Sequence, residues 1–481
     1  MNFIKNNKGF ILGIISASVV LLFPTPESLS YEAHKTAALL LLMGVWWATE
    51  AVPVPVTALV PLAAFPILGI VDIQSAANPY ANKTIYLFFG GFLLATAIQK
   101  WDLHKRIALF VLENFGSNGA SLVLGFMVTA ALISMWVMNT ATTIMLLPIG
   151  LAVITVVKET VKGLSDEETV NFQLSLLLGI AYGATIGGMS TLIGTGPNVM
   201  LAAFMSDNYN LDISMVDWMK VGVPLSAVML PSSWLILTRV IYPVKFETSK
   251  ETTDLLTSMK QELGTFDGPE IKVFIVFVAT AFAWMFRTVL DDMPGLNGLS
   301  DAGIAMISAL FLFLLPSGHE EKKGTLLEWK DAQENVPWGL LVLFGGGLSL
   351  ANAVQSTGLA DWIGNLIPSG ISIVLIVILV VTLIIFLTEL TSNMATTATF
   401  LPVVAALAIQ SEFDPILVTA AVALAASCAF MLPVATPPNA IVFGSGLIKV
   451  PQMAKAGFLL NVLGIIVVSL VAAISVPYFL L

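Results

Sequence analysis

Residues 134–148 read SMWVMNTATTIMLLP, and residues 388–402 read TELTSNMATTATFLP. The two stretches align without a gap and share an Asn, an Ala, two Thr, a Leu and a Pro. Each places a polar cluster inside an apolar segment, and further along the chain GTGPN (194–198) is matched by ATPPN (435–439). Polar, helix-breaking backbone is costly in a membrane unless it lines a site. Its repetition in two halves of a chain indicates the central binding site of a transporter.

The composition is that of a protein embedded in a membrane. Hydrophobic residues make up 57% of the 481 residues and charged residues only 11%, whereas a soluble domain carries roughly 25% charged residues. The formal net charge is −10, but the acidic residues lie mostly in loops, so it indicates no nucleic-acid or other charged partner. The single cysteine, Cys428, excludes an intrachain disulfide, and no Cys/His cluster suggests zinc or haem. These features predict an all-α polytopic membrane protein.

The apolar runs predict the number of membrane spans, since crossing a bilayer takes about 20 residues. They lie near 9–24, 36–51, 55–71, 84–99, 119–157, 172–207, 219–243, 270–289, 301–316, 336–356, 369–410, 415–447 and 456–480. Two runs, 119–157 and 369–410, are too long for one span and carry the polar clusters, so we expect re-entrant hairpins there. The runs 172–207 and 415–447 are each interrupted by a Thr-x-Pro-Asn break, which predicts broken helices. The total is about 11 transmembrane helices and two re-entrant hairpins.

The positions of lysine and arginine predict the orientation. With the N-terminus in the cytoplasm and the C-terminus outside, the inner loops hold Lys100, Lys105, Arg106, Lys158, Lys162, Lys245, Lys250, Lys260, Lys322, Lys323, Lys330, Lys449 and Lys455. The outer segments hold only Lys35, Lys83, Lys220 and Arg287. One hairpin then opens from the inside and the other from the outside, so the two halves are predicted to be inverted repeats.

The predicted organisation has three parts. Residues 1–244 form the first inverted repeat, with N-terminal scaffold helices and the inner re-entrant hairpin at 119–157. Residues 245–268 form a cytoplasmic linker. Residues 269–481 form the second inverted repeat, with the outer re-entrant hairpin at 369–410.

The repeated clusters suit an anion together with a hard cation. Half-helix N-termini present free N–H groups and about half a positive charge, which favours carboxylates and other oxyanions. Amide, hydroxyl and carbonyl oxygens are hard ligands that suit a small hard cation. No Lys, Arg or His lies near either cluster, and a bare dianion in such a core has a large desolvation cost. Co-bound Na⁺ is the simplest compensation, and no organic cofactor is expected.

Structural roles are the alternative for the polar residues of these clusters. Asn139 and Asn393 could only cap broken helices, but their duplication at matched positions argues against this. Glu50 and Glu389 are acids within the membrane, which are functional by default. Each precedes a polar or proline-rich break, so a role in transport and a structural role bonding loop amides both stay open.

The motifs resemble those of the divalent anion:sodium symporter family, which carries succinate, malate, fumarate and citrate. WWATEAVPVPVTALVPL (46–62) is similar to the early signature of that family. SMWVMNTATT and FLTELTSNMATT are similar to its two Ser-Asn-Thr hairpin tips, and GTGPN and ATPPN to its two unwound loops. The resemblance covers nearly the whole chain. It implies a homodimer in the inner or plasma membrane, with a transport domain that moves past a fixed scaffold in an elevator form of alternating access.

The resemblance also implies which residues bind the ions and the substrate. One Na⁺ site would use Ser134, Asn139 and backbone oxygens of Met138 and Gly194. The other would use Asn393 with backbone oxygens of Thr388, Thr391 and Ala435. The substrate carboxylates would be bound at the tips and the neighbouring loops by Asn139, Thr140, Thr195, Ser392, Asn393, Met394, Thr436 and Pro437.

The chain departs from the family pattern at both tips. The triplet reads Met138-Asn139-Thr140 in the first tip and Ser392-Asn393-Met394 in the second, so each tip lacks one hydroxyl. Met138 still offers a backbone carbonyl to a cation. Met394 cannot donate a hydrogen bond to a carboxylate, and a hydrogen bond to a charged group is worth roughly 1.5–3 kcal/mol. We therefore expect an altered substrate range or weaker affinity.

The predicted function is Na⁺-coupled symport of C4-dicarboxylates, namely succinate, malate and fumarate. The alternatives within transport are a Na⁺-independent dicarboxylate exchanger and a carrier of citrate or of an inorganic dianion such as sulfate. A cationic side chain at the tips would favour the exchanger, and the sequence has none there. A membrane enzyme would need a nucleophile–base pair or a metal cluster near the membrane, and neither is visible in the sequence.

Overall fold

The computed structural model of the chain describes residues 8–115, 118–319, 324–366 and 372–481. Within these ranges the chain is helical, and the only extended pairings are two isolated bridges, Asn118 with Glu247 and Pro316 with Thr325. The basic residues Lys322 and Lys323 and the first residues of the predicted second hairpin, 369–371, lie outside the described residues.

The described helices follow the predicted apolar runs. The first half contains α1 (Lys8–Leu22), α2 (Tyr31–Thr49), α3 (Val54–Thr57), α4 (Val60–Leu68), α5 (Ile73–Ala77), α6 (Lys83–Lys100), α7 (Leu103–Leu112), α8 (Gly119–Ser134), α9 (Asn139–Thr160), α10 (Asp166–Gly188), α11 (Gly196–Tyr209) and α12 (Met215–Leu235). The second half contains α13 (Lys250–Glu262), α14 (Gly268–Met285), α15 (Arg287–Asp291), α16 (Asp301–Leu314), α17 (Trp329–Asn335), α18 (Trp338–Ser356), α19 (Leu359–Asn365), α20 (Ile373–Thr388), α21 (Asn393–Gln410), α22 (Pro415–Ala426), α23 (Pro437–Phe443) and α24 (Val450–Phe479).

The described part of the chain contains 8 helical segments that are long and apolar enough to cross a membrane. Further apolar helices of 10–17 residues accompany them, including α8, α20 and α22. The protein is therefore an all-helical membrane protein. The number of 11 spans and the two re-entrant hairpins stay predictions.

Polar residues in the loops set where several of these helices begin. The Ser165 hydroxyl accepts from the amide of Glu168, and the Glu168 carboxylate accepts from the amide of Ser165, which forms a capping box at the start of α10. Asp267 and Glu270 form the same arrangement at the start of α14. These reciprocal bonds satisfy N–H groups that a helix leaves free in its first turn.

The helices end where the polar clusters interrupt the apolar sequence, as predicted. α8 ends at Ser134 and α9 begins at Asn139, while α20 ends at Thr388 and α21 begins at Asn393. The broken helices are also confirmed. α10 ends at Gly188 before α11 begins at residue 196, and α22 ends at residue 426 before α23 begins at residue 437.

The two interrupted helices α10 and α22 form the core. Every residue from 174 to 188 is buried, and so is every residue from 418 to 426. α8 packs closely along α10 because a glycine at position 187 leaves room for its backbone: a Cβ added there would collide with Ala131. Small residues permit such close approach of membrane helices. The broken ends of both helices therefore lie inside the protein, where they form the site.

Candidate functional site

The two tips share a hydrogen-bond pattern. In the first tip the Ser134 hydroxyl lies 2.5 Å from the amide oxygen of Asn139, and in the second the Thr388 hydroxyl donates to the Asn393 Oδ1 at 2.8 Å. Four residues beyond each Asn, a hydroxyl donates to the Asn carbonyl at 2.8 Å, from Thr143 and Thr397. The sequence repeat is therefore also a repeat of local structure.

The loops between the broken helices are folded in the same way in both halves. Asn198 donates through Nδ2 to the carbonyl of Thr191, seven residues upstream, at 2.8 Å. Asn439 donates through Nδ2 to the carbonyl of Leu432, also seven residues upstream, at 3.0 Å. Both side chains are buried, and each makes a further bond to the carbonyl ten residues upstream. These two asparagines therefore shape the loops and do not face a ligand.

The Asn139 amide faces three oxygen atoms of the first half. The Ser134 hydroxyl lies 2.5 Å from it, and the carbonyls of Ala184 and Gly194 each lie 3.3 Å from it. With its nitrogen on that side, the amide donates to all three oxygens. With its oxygen there, four oxygen atoms converge, an arrangement that suits a cation. A Cβ added to Gly188 would lie 2.5 Å from the Asn139 Oδ1. Ala184 and Gly188 were not predicted, because small residues in an apolar run indicate only packing.

The side chains at the second tip make a different set of contacts. The Thr388 hydroxyl lies 2.8 Å from the Asn393 Oδ1 and 3.1 Å from the carbonyl of Ala426. Thr391 turns its hydroxyl away: it donates to the Leu387 carbonyl at 3.0 Å and lines a different cavity beside α2. Ala435 lies in the wall of the cavity that Asn393 also faces. Because the Thr391 hydroxyl is bonded elsewhere, the group of this residue that remains for a cation is its backbone oxygen, which is the predicted ligand.

A cavity of ≈ 440 Å³ lies between the tips and the loops. All eight residues predicted to bind substrate line it: Asn139, Thr140, Thr195, Ser392, Asn393, Met394, Thr436 and Pro437. Met138, Gly194 and Ala435 also reach its wall, whereas Ser134 and Thr388 are fully buried behind it. The chain therefore brings residues that are about 300 positions apart into one site.

Three hydroxyls at this cavity are free to bind a ligand. Those of Thr140, Thr195 and Ser392 form no hydrogen bond with any described residue, in contrast to Thr436, whose hydroxyl accepts from the amide of Asn439 at 3.3 Å. The N-termini of α9, α11 and α21 also lie at the cavity. Helix N-termini carry a partial positive charge that favours anions. The cavity therefore offers donors and positive potential to an anionic group.

Glu389 holds the second loop in place. Its carboxylate is 3% exposed and accepts hydrogen bonds from the amides of Phe430 (2.8 Å), Met431 (2.9 Å) and Leu432 (3.0 Å). The Asn461 Nδ2 of α24 donates a fourth, at 2.8 Å. These bonds to loop amides are the ones that the structural alternative for Glu389 predicts.

Glu50 differs from Glu389 in its surroundings. It ends α2 in a left-handed backbone conformation, with φ 46° and ψ 31°. Its side chain is exposed and lines the cavity. A carboxylate therefore faces the same space as the two tips, on the wall formed with Phe88, Phe92 and Leu340.

Comparison with known proteins shows extensive similarity to one family. Residues 5–480 match the family described as the sodium:sulfate symporter transmembrane region. The chain is 38% identical over 473 residues to the sodium-dependent dicarboxylate transporter SdcS of Staphylococcus saprophyticus, covering 98% of this chain and 91% of that protein. It is 39% identical over 476 residues to SdcS of Staphylococcus aureus, with the same coverage.

Solved structures of membrane transporters share the fold. MtrF of Neisseria gonorrhoeae, a member of a class of antimetabolite efflux pumps, superimposes with a TM-score of 0.58 at 12% identity, covering 97% of this chain and 94% of that one. The YdaH transporter of Alcanivorax borkumensis also gives 0.58, at 13% identity, covering 92% of this chain and 98% of that one. At such identities the likeness extends to the fold and not to the activity.

Proposed function

Because the chain belongs to the sodium:sulfate symporter family, whose members are transporters and not enzymes, we propose that it is a Na⁺-coupled symporter of C4-dicarboxylates such as succinate, malate and fumarate. The 38–39% identity to sodium-dependent dicarboxylate transporters supports this substrate class. The observation that carries the proposal is the cavity lined by both Asn tips. No Lys, Arg or His is among the described residues that line it, so a dianion bound there needs cations to neutralise it.

The first Na⁺ site is best supported at Asn139. There the Ser134 hydroxyl and the Gly194 carbonyl lie 2.5 Å and 3.3 Å from the amide of Asn139. Na⁺ binding would turn the oxygen of the amide toward these atoms, and Met138 would add its carbonyl. Ala184 joins the predicted ligands, because its carbonyl lies 3.3 Å from the same amide. Hard oxygen ligands of this kind suit Na⁺.

The second Na⁺ site would lie at Asn393. Its amide oxygen and the Thr388 hydroxyl are 2.8 Å apart, and the carbonyls of Thr388, Thr391 and Ala435 would complete the site. Fewer oxygens converge here than at Asn139, so we expect the second site to need more rearrangement when the cation binds.

The substrate would lie between the tips, with one carboxylate at each. Asn139, Thr140 and Thr195 would bind one carboxylate, because the two hydroxyls are free and α9 and α11 begin there. Ser392 and Asn393 at the start of α21 would bind the other, near Thr436 and Pro437. Each carboxylate would then be held by free donors and by a helix N-terminus.

We propose that the chain has the predicted topology of about 11 transmembrane helices and two re-entrant hairpins. We also propose that it transports its substrate by alternating access. The repeats would be inverted, with 1–244 and 269–481 joined on the cytoplasmic side by 245–268, and the protein would act as a homodimer with an elevator motion. With the N-terminus in the cytoplasm, α2 runs inward, which places Glu50 on the cytoplasmic side of the cavity. The cavity would thus open inward.

Contacts on the opposite side of the protein support an inward-facing arrangement. The Asn82 Nδ2 donates to the Asp207 Oδ1 at 2.6 Å, and the Lys83 ammonium pairs with Asp212 at 2.7 Å. These bonds join the start of α6 to the end of α11 and the loop after it. On the proposed topology this is the outer side, which the contacts would keep closed.

The test is uptake of labelled succinate by proteoliposomes, with and without an inward Na⁺ gradient. We expect uptake that requires Na⁺ and is inhibited by unlabelled dicarboxylates. Uptake that ignores Na⁺ but is driven by internal dicarboxylate would make the protein an exchanger instead. Because the family is named for sulfate, sulfate and citrate belong in the competition panel, and uptake displaced by them alone would refute the substrate class.

A further inference from the structure

The Met394 side chain crosses from one half of the site to the other. It is 7% exposed and lines the cavity one residue after Asn393. Its thioether lies directly over Gly196 at the start of α11: a Cβ added to Gly196 would collide with the Met394 Sδ, and its next nearest neighbour would be the Met394 Cε, at 3.2 Å. The second tip thus touches the first loop through this thioether.

This position corresponds to the middle of the bound substrate, if the carboxylates bind as proposed above. One carboxylate would lie at Asn139 and Thr195, and Gly196 directly follows Thr195. The other would lie at Ser392 and Asn393, and Met394 directly follows Asn393. A side chain that extends from Asn393 to Gly196 would therefore border the atoms that link the two carboxylates.

Much of the remaining wall is also apolar. Met138 lies at the first tip, where the family pattern has a serine, and Phe88, Phe92 and Val434 are among the other lining residues, although Glu50 lies on the same wall as the two phenylalanines. The free hydroxyls of Thr140, Thr195 and Ser392 lie at the carboxylate positions. A thioether is at best a weak acceptor and donates no hydrogen bond. A hydroxyl on the linker would therefore meet no donor or good acceptor from Met394.

We propose that Met394 makes this carrier selective for dicarboxylates with an apolar linker, such as succinate and fumarate, over hydroxylated ones such as malate and tartrate. The inference rests on the proposed function and narrows the substrate class given there. Apolar pockets reject an added hydroxyl by up to about 100-fold. We expect about tenfold here, because the cavity is open and a substrate hydroxyl can keep part of its hydration.

The experiment is displacement of labelled succinate in Na⁺-driven uptake by unlabelled succinate, fumarate, malate and tartrate. For the wild type we expect malate and tartrate to need about tenfold higher concentrations than succinate and fumarate. Met394→Thr should bring this ratio close to one, because it replaces the thioether with a hydroxyl that can bond a hydroxyl of the substrate. A bond from that hydroxyl to a carboxylate would favour all four acids alike and leave the ratio unaffected. Met394→Leu should keep the ratio, because it is apolar and similar in size.

Met285→Thr is the matched control for the chemical change. Met285 is 53% exposed at the end of α14 and does not line the cavity, so the same substitution there should leave the ratio unchanged. If Met394→Thr does not fold, Met394→Gln takes its place, because glutamine is close to methionine in size and carries a polar amide; it should lower the ratio, and an unchanged ratio would remove the role of Met394.

Two results would overturn the inference. Equal competition by all four acids in the wild type would remove the selectivity itself, and an unchanged ratio in folded Met394→Thr would remove the role of Met394. Both leave Na⁺-driven dicarboxylate uptake intact, so they are distinct from failure of the proposed function. Absence of uptake of any dicarboxylate would overturn both.

Discussion

The two tips present the same asparagine but are supported in different ways. In the first half the Thr191 hydroxyl donates to the Met135 carbonyl at 2.5 Å and accepts from the amide of Gly194 at 3.0 Å. In the second half the residue that aligns with Met135 is Glu389, whose carboxylate accepts from three loop amides and from Asn461 of α24. The repeat therefore keeps the asparagine of each tip and the hydroxyl beside it, whereas the groups that join each tip to its loop have diverged.

The difference also affects how much each tip depends on the rest of the protein. The first tip is joined to its loop by one neutral hydroxyl within the same half. The second tip is joined to its loop by a buried charge, and through Asn461 to a helix that follows it by more than 60 residues. Buried charges are stable only when they are fully hydrogen-bonded. The second tip should therefore be the more sensitive to substitution behind the cavity.

The strongest expected effect is loss of transport when either asparagine is removed. Asn139→Ala and Asn393→Ala should each abolish Na⁺-driven succinate uptake, because each removes an amide that would contact both cation and carboxylate. The folded protein should remain, as judged by size-exclusion chromatography and thermal unfolding. Asn335→Ala on α17, at an exposed position, should leave uptake unchanged. Normal uptake by either cavity variant would show that its half is not part of the site.

A large effect on stability is expected from the groups behind the tips. Glu389→Ala leaves four donors without their acceptor, two of them buried and two part-buried, and each buried group costs about 1–3 kcal/mol. Thr191→Val removes one hydroxyl and should cost about 1 kcal/mol. The unfolding temperature in detergent should therefore fall much further for Glu389→Ala than for Thr191→Val. Equal shifts would contradict the view that the second tip depends on the buried charge.

A smaller and more local effect is expected at Gly188. Its counterpart in the second half is Ala429, since both lie ten residues before the loop asparagine. In Gly188→Ala the added methyl group would lie 2.5 Å from the Asn139 Oδ1 and 3.0 Å from the Gly194 carbonyl, so it displaces predicted cation ligands. We expect the Na⁺ concentration for half-maximal uptake to rise on the order of tenfold, since such sites tolerate little displacement.

Two comparisons make the Gly188 experiment informative. Ala429→Gly in the second half should leave the Na⁺ dependence nearly unchanged, because no such crowding exists there. The succinate concentration for half-maximal uptake at saturating Na⁺ should change little in Gly188→Ala. A rise in the succinate concentration for half-maximal uptake, with an unchanged Na⁺ dependence, would indicate that this region binds the substrate instead.

The sequence predicted the architecture well, because the signals are local. Polar residues within apolar runs locate the ends of α8, α10, α20 and α22. The duplicated motifs predict which residues line the same cavity, since the matched helix breaks of the two halves both have to lie in the protein interior. The eight residues predicted to bind substrate lie around one cavity for this reason, although their roles stay predictions.

The sequence did not predict contacts that depend on tertiary packing. The bonds of Glu389 are made to residues 41–43 and 72 positions downstream, and no local pattern indicates them. The orientation of Thr391 depends on the path of a short turn, where helical periodicity does not apply. Ala184 and Gly188 contribute through a carbonyl and through the absence of a side chain, neither of which a residue type reveals.

Several groups that shape the loops do not line the cavity. Asn198 and Asn439 bond backbone carbonyls, Glu389 bonds three loop amides and Asn461, and none of these three residues is among those that line the cavity. Thr140 and Ser392 line the cavity without taking part in that network. Thr140 and Ser392 can therefore be exchanged at little cost to folding. Such a division would let the substrate preference of the carrier evolve through single substitutions at the tips without loss of the loop structure.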